Sequence, residues 1–274
     1  MKKTETARDL VLECATLLSA LRAKSPLVHC LTNSVVENFT ANVLLAIGAS
    51  PAMIPDPEES GMFAGVADAL LVNVGTATKP QTEAMRRAVE SARAAGKPWV
   101  LDPVAVGALP LRTSFAREVL ALGPAVVRGN ASEIIALAGE KATGKGVDST
   151  ATTDQAEGAA AAIAAATGGT ALVTGAVDLV LSAGGERATI SNGTPLMTRV
   201  TGVGCAQGAV VAAFCAVSKG DFFAAATAAA LATAIAGDMA AEKAKFPGSF
   251  QIAFLDALAE IDGEVLCERA RLAR

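Results

Sequence analysis

The sequence predicts an α/β protein with a mostly parallel central sheet, helices on both faces and an antiparallel edge. Between residues 27 and 174, short apolar runs of strand length alternate with segments of helical periodicity. Capping residues and glycines punctuate those segments at the places where strands should pass into helices. After Thr174 the alternation gives way to closely spaced strands, which is hairpin character. Alternating strands and helices require right-handed crossovers and a parallel sheet, and the later hairpins place an antiparallel edge on it.

Taken in order, residues 6 to 22 place Ala7, Leu10, Val11, Cys14, Leu17, Leu18 and Leu21 on one helical face. Leu27 to Leu31 reads as a strand ending in Thr32-Asn33-Ser34, and Val35 to Ile47 as a helix closed by Gly48, with Ser34 and Glu37 as a capping box. Ala52 to Ile54 reads as a brief strand, and Asp56-Pro57-Glu58-Glu59 as a helix start. The strands Ala69 to Gly75, Trp99 to Leu101 and Ala125 to Val127 follow. They are separated by a helix capped by Thr78 and Gln81 and another over Leu111 to Leu122, with a third at Ala131 to Ala138. Glu140 to Ser149 is a polar loop, Thr152 to Ala166 a helix, Thr170 to Thr174 a strand, and Leu179 to Ser182 with Arg187 to Asn192 the hairpin strands. Leu196 to Val200 reads as a strand feeding a buried helix from Ala206, and the last helices break at Gly220 and at Phe246-Pro247-Gly248-Ser249. Neither a repeat nor a linker interrupts the pattern, so residues 1–274 are expected to form a single domain.

Composition narrows the function classes. The net charge of −4, the 4% aromatic content and the lack of tyrosine give no basic or stacking footprint for nucleic acid. The apolar run Phe222 to Ala236 is shorter than the ~20 residues a bilayer needs and is bracketed by Asp221 and Asp238, so a core helix is expected and no membrane partner. The N-terminal segment carries charges through its first apolar stretch, unlike a signal peptide. Five cysteines without a C-x-x-C pair point to a reducing cytoplasm.

Ligands of open α/β sheets gather at the carboxyl ends of the strands, which makes Asn33, Asn73, Asp102, Arg128 and Gly202 candidates for one crevice. The stretch Val200-Thr201-Gly202-Val203-Gly204-Cys205 stands at a helix start, where free backbone N–H groups and the macrodipole favour an anion. A thiol at Cys205 is expected to ionise more readily there than a free one. Arg128, Asn130 and Glu133 cluster beside Asp102, and an arginine with two carboxylates suits phosphate plus a divalent cation; Asn130 with Glu133 is equally a cap. His29, the only histidine, is expected to be a satisfied core or interface residue, Met53 and Met197 core fillers, and Thr174 a strand terminus. The stretch Gly139 to Gly146 nearly spells a P-loop, but a helix precedes it and Gly146 replaces the Ser or Thr that would hold magnesium. A Rossmann-type dinucleotide enzyme using Gly202-x-Gly204 is a rival reading, against which stand a spacing to Gly208 that is one residue too long and the distance of the motif from the first βα unit.

Several blocks carry a resemblance in order along nearly the whole chain. They are Ser25-Pro26-Leu27-Val28-His29, Thr32-Asn33, Asn38-Phe39-Thr40-Ala41-Asn42, Gly48-Ala49-Ser50-Pro51-Ala52-Met53 and Leu101-Asp102-Pro103-Val104. Further on come Arg128-Gly129-Asn130-Ala131-Ser132-Glu133-Ile134, Val173-Thr174-Gly175, Thr201-Gly202-Val203-Gly204-Cys205 and Gly248-Ser249-Phe250. On these the chain resembles the hydroxyethylthiazole kinases, ribokinase-like enzymes of thiamine salvage, departing at Val203, where Ala or Thr is more familiar. The resemblance implies transfer of a phosphoryl group from ATP, with Mg2+, to the primary alcohol of 5-(2-hydroxyethyl)-4-methylthiazole. It implies that Arg128, Thr174, Asn130 and Gly204 bind ATP. Met53, Gly202, Asn33 and Val35 would contact the thiazole, Asp102 and Glu133 support the metal, and Cys205 stand where relatives carry a catalytic aspartate. It also implies a homotrimer with its site at the subunit boundary. Besides the dinucleotide enzyme, a pyrimidine kinase of the same fold and a catalytically silent thiazole-binding protein are the rival readings, and Cys205 in place of aspartate argues against the pyrimidine kinase.

Overall fold

The computed structural model describes residues 6–139, 144–145, 148–149 and 152–274. Among the described residues, eleven α-helices and eleven strands follow in the order α1 (Ala7–Lys24), β1 (Leu27–Leu31), α2 (Glu37–Ile47), β2 (Ser50–Ala52), α3 (Ser60–Val66), β3 (Ala69–Asn73), α4 (Lys79–Ala94), β4 (Trp99–Asp102), α5 (Pro110–Leu120), β5 (Val126–Asn130) and α6 (Ala131–Leu137). They continue as β6 (Gly144–Lys145), β7 (Asp148–Ser149), α7 (Thr153–Thr167), β8 (Thr170–Thr174), β9 (Asp178–Ser182), β10 (Arg187–Ile190), α8 (Val203–Cys215), α9 (Phe222–Lys243), α10 (Pro247–Glu260), α11 (Gly263–Arg269) and β11 (Leu272–Ala273).

Nine strands form one sheet in the order β11-β10-β9-β8-β5-β4-β3-β1-β2. From β2 to β8 neighbours are parallel, and β9, β10 and β11 add an antiparallel edge. Both faces are covered, as a parallel sheet demands. Leu71, Val100 and Leu172 face a core shared with α1, α2, α8, α9 and α10, while Leu70, Val72, Leu101 and Val173 face one shared with α4, α5, α6 and α7. Because successive strand residues alternate faces, the near-continuous apolar runs of β3, β4 and β8 are what burial on both sides requires.

The Thr78–Gln81 capping box is present, as are those of Asn130–Glu133 and Thr152–Gln155. Other expectations need correction. No capping box joins Ser34 and Glu37; the Ser34 backbone N–H instead donates to Thr76 Oγ1 at 3.1 Å, and α2 starts after Val36 with no side-chain cap. Tertiary contact with the loop after β3 thus outcompetes the local cap. The brief strand is Ser50–Ala52 rather than 52 to 54, because Leu27 to His29 of β1 sets its register. Residues 57–59 form a turn, pinned by the Glu58 N–H on Asp56 Oδ1 at 2.8 Å, so α3 begins a turn later than the proline suggests. Leu196 to Val200 is not a strand: Pro195–Arg199 is a 3₁₀ helix capped by Thr194, since Pro195 cannot donate to a ladder. The helix after it starts at Val203, not Ala206. Helix α11 and strand β11, which pairs with β10, are additional elements at the C-terminus.

Within the polar loop, β6 and β7 pair antiparallel; the other residues of the P-loop-like stretch between Glu140 and Gly146 lie outside those described. Among the described residues α9 alone is a helix long and apolar enough to cross a membrane, and it is buried nearly throughout in the core beneath the sheet.

Candidate functional site

The strands β8, β5, β4, β3 and β1 are neighbours, so their carboxyl ends line up beneath the start of α8. Thr174, Asp102 and Asn73 are the last residues of β8, β4 and β3, Asn33 lies just past β1, and Arg128, two residues before the end of β5, reaches the same crevice. They are joined. Asn33 Nδ2 donates to Cys205 Sγ at 3.3 Å and to Asn73 Oδ1 at 3.0 Å, and Asn73 Nδ2 donates to Asp102 Oδ2 at 2.7 Å. That carboxylate lies 3.6 Å from Arg128 Nη1, and Arg128 Nη2 donates to Thr174 Oγ1 at 3.2 Å. An unbroken polar chain therefore runs from the sulfur to the guanidinium.

Helix α8 is set over this chain by two glycines. Gly202, its N-cap, has φ of +98°, a left-handed conformation that glycine adopts without penalty. Gly204 lets the helix pass close to Arg128: a Cβ there would lie 3.1 Å from Nη2. The Ala206 N–H is the first to bond back, to Gly202 O at 2.8 Å, which leaves the N–H groups of residues 203–205 without intrahelical partners. Together with the Arg128 guanidinium they form a site for a multiply charged oxyanion.

Burial governs the titratable groups. Asp102 is fully buried, and desolvation raises its pKa against the opposing charge of Arg128. Its Oδ1 has no hydrogen-bond partner among the described residues. Glu133 is likewise raised, chiefly by burial, while its oxygens accept the backbone N–H groups of Ala105 at 3.0 Å and Asn130 at 2.9 Å. The Cys205 thiol does not ionise more readily than a free one. Burial and the nearby Asp102 charge push it up to about 11, outweighing Asn73, Arg128 and Asn33, so it is a protonated thiol at neutral pH.

The structure thus brings together Asn33, Asp102, Arg128, Thr174, Gly202, Gly204 and Cys205, with Asn130 and Glu133 as the cap of α6 alongside. Val35 and Met53 lie outside the hydrogen-bonded chain: Val35 is 65% exposed, and Met53 is half-buried against the larger core. The buried member of that valine pair is Val36, beneath Gly202. His29 is a core residue, its Nε2 3.1 Å from Ile54 O and its ring edge-on to Phe63; burial lowers its pKa. Gln207, Thr233 and Asp178, which surround Arg128 from behind, had no motif to mark them, although a glutamine inside the otherwise apolar run of α8 is a signal of a kind.

A sequence model of the hydroxyethylthiazole kinase family matches residues 18–264. The chain belongs to that family. Among hydroxyethylthiazole kinases, it is 58% identical over 245 residues to the one from Klebsiella pneumoniae (strain 342), covering 89% of this chain and 94% of the relative. It is 54% identical over 245 residues to that of Cronobacter sakazakii, covering 89% and 91%. The solved hydroxyethylthiazole kinase structure from Pyrococcus horikoshii OT3 superposes with a TM-score of 0.87 at 39% identity, covering 94% of this chain and 97% of that one. Staphylococcus aureus pyridoxal kinase in complex with ADP, at 16% identity and a TM-score of 0.59, shares the fold, covering 78% and 87%. The hydroxyethylthiazole kinase family and these neighbours make the chain a kinase of the ribokinase-like α/β fold.

Proposed function

We propose that this chain transfers the γ-phosphoryl group of ATP to the primary alcohol of 5-(2-hydroxyethyl)-4-methylthiazole, yielding its phosphate in thiamine salvage. The observation that carries the reading, within a kinase family already assigned, is the placing of Cys205 and Arg128 on either side of the first turn of α8. One marks where the acceptor sits and the other where the phosphates sit. Arg128, Thr174, Asn130 and Gly204 face the nucleotide, and Gly202, Asn33, Val35 and Met53 the thiazole.

The transition state for such a transfer is loose, so it asks for positioning and charge stabilisation more than for a strong base. Arg128 and the N–H groups at residues 203–205 supply the charge. Cys205 accepts a hydrogen bond from Asn33, which leaves its S–H free to hold the acceptor oxygen. As the new O–P bond forms and the bond to the β-phosphate bridging oxygen breaks, ADP departs and the alcohol proton passes to an oxygen of the transferred group.

Magnesium fits the donor set. This ion takes one or two carboxylates and completes its shell with water and phosphate oxygens. Asp102 offers a buried Oδ1 with no partner among the described residues, and Glu133 has one backbone N–H on each oxygen and lone pairs to spare. These two residues would hold it. When bound, the ion neutralises the phosphate charge that builds up during transfer.

We further infer a cytoplasmic homotrimer with each site at a subunit boundary and the whole chain acting as one domain. Exposed apolar side chains at Val35, Leu45, Met62 and Val66, close in sequence to the β2 edge, support the interface. Five free thiols suit a reducing compartment, and a sheet that recruits strands from residue 27 to residue 273 suits one domain. The deciding experiment is a coupled ADP-release assay with the thiazole alcohol, run beside the related pyrimidine alcohol and beside NADH binding. Turnover restricted to the pyrimidine, or ADP release indifferent to either alcohol, would refute the assignment.

A further inference from the structure

Of the three groups that meet the Arg128 guanidinium, Thr174 and Asp102 stand at strand tips, but the third stands on α8 itself. Arg128 Nε donates to Gln207 Oε1 at 3.0 Å. Gln207 follows Gly204 by three residues, so both occupy the same helix face, and the glycine gives the guanidinium room while the glutamine anchors it. Gln207 is 6% exposed, and every hydrogen-bonding atom of its amide is used. Its Nε2 donates to Thr233 Oγ1 at 2.9 Å, and the amide lies near enough to the buried Asp178 carboxylate to favour its charged form.

The direction of the amide is fixed by those partners. Thr233 Oγ1 spends its own proton on Ala229 O, at 2.7 Å, and so can only accept from Gln207. The NH2 end must therefore face Thr233, and Oε1 must face Arg128. A flipped amide would set N–H against N–H.

We propose that Gln207 is a positioning residue for phosphoryl transfer: held by Thr233, it fixes the plane of the Arg128 guanidinium toward the ATP phosphates. The inference rests on the reading of Arg128 as a nucleotide-binding residue. A guanidinium held at Nε presents its two Nη groups as a fork of set direction, and a fork is worth more to a phosphate than a swinging cation.

Three single variants and one double variant test this with ATP and thiazole alcohol varied separately. Gln207→Met keeps the bulk of the side chain and removes the acceptor; it raises the KM for ATP by about ten-fold or more while the KM for the alcohol stays within about two-fold. Thr233→Val, remote from the crevice and near-isosteric, raises the KM for ATP by a smaller factor in the same direction. Arg128→Met raises it at least as far as Gln207→Met, and adding Gln207→Met to Arg128→Met changes it no further, because the glutamine acts through the arginine. A folded Gln207→Met with an unchanged KM for ATP, or with only kcat lowered as a smaller active fraction would give, overturns the proposal. So does an additive double variant. If Arg128→Met itself leaves the KM for ATP untouched, the nucleotide role of Arg128 fails, and that result is distinct from the failure of Gln207 alone.

Discussion

Replacing Gly202 and Gly204 by alanine, one at a time, separates what the two glycines do. At Gly202 the backbone is left-handed, with φ of +98°, and holding an L-residue there costs about 1–2 kcal/mol. The added methyl would also stand 2.9 Å from Phe39 Cδ1 and 3.0 Å from Val36 Cγ1, both in the packed interior, for about 1–3 kcal/mol of overpacking. Together these amount to roughly 2–5 kcal/mol, a large share of an ordinary domain's stability and on the order of 10 °C in melting temperature. At Gly204 no such strain exists. The residue lies within α8, where alanine is the better helix former by up to about 1 kcal/mol, and the methyl meets only Arg128 Nη2 at 3.1 Å and Nη1 at 3.4 Å. Gly204→Ala should therefore melt no lower than the parent while its KM for ATP rises about three- to ten-fold, the effect of a guanidinium displaced by a few tenths of an ångström. Calorimetry and ADP-release kinetics on both variants check this. If Gly202→Ala melts with the parent, or if Gly204→Ala loses stability and keeps its KM for ATP, the account of α8 docking is wrong.

Cys205→Ala, which removes the donor that a serine hydroxyl would replace, should cut turnover and leave ATP binding nearly intact, as titration calorimetry with a non-hydrolysable ATP analogue would show; parental turnover would remove the thiol from the chemistry. Because that thiol is pushed up to about 11, mass-mapped alkylation at pH 8 should label exposed Cys267 well before Cys205, and the reverse order would contradict a protonated sulfur. Asn73→Leu strips Asp102 Oδ2 of its donor and leaves Asn33 and the Gly75 N–H unsatisfied; it should cost about 2–5 kcal/mol in urea unfolding, and a loss below 1 kcal/mol would refute the linkage. Asp178, raised to about 6 by burial, holds a proton in the folded state that the unfolded chain has already released, so stability should fall as pH rises from about 4 to 6. Asp178→Asn should make that slope shallower, leaving the part contributed by Asp102 and Glu133, and gain on the order of 2–3 kcal/mol near pH 7, measured by urea unfolding across the range; a slope of unchanged size would assign it wholly to those other groups.

The fold was legible wherever periodicity and capping agreed. β1, β8 and the Thr78 and Asn130 caps stand where the pattern puts them because local preference and tertiary packing act in the same direction there. It was illegible where a tertiary partner overrode the local signal. Ser34 abandons its own helix for Thr76, and Pro195 turns an apolar run into 3₁₀ structure. β11 is only two residues long and is a strand because β10 offers it an edge. In the site, strand-end position was enough to collect Asn33, Asn73, Asp102 and Arg128, since the parallel topology sends every such tip to one side. Gln207, Thr233 and Asp178 escaped because their importance lies in what they touch across three elements. The thiol was misjudged for a related reason: a helix start argues for ionisation from the chain alone, whereas depth of burial appears only when the fold is known.

The tips that bear Asn33, Asn73, Asp102 and Arg128 are adjacent in space yet lie far apart along the chain, with a helical crossover between each and the next. Catalytic competence is therefore among the last things the polypeptide acquires, since no fragment shorter than the run from β1 to α8 can hold Asn33, the guanidinium and the sulfur together. Turnover doubles as a reporter of intact architecture. During heating or denaturant titration it should vanish together with the sheet rather than ahead of it.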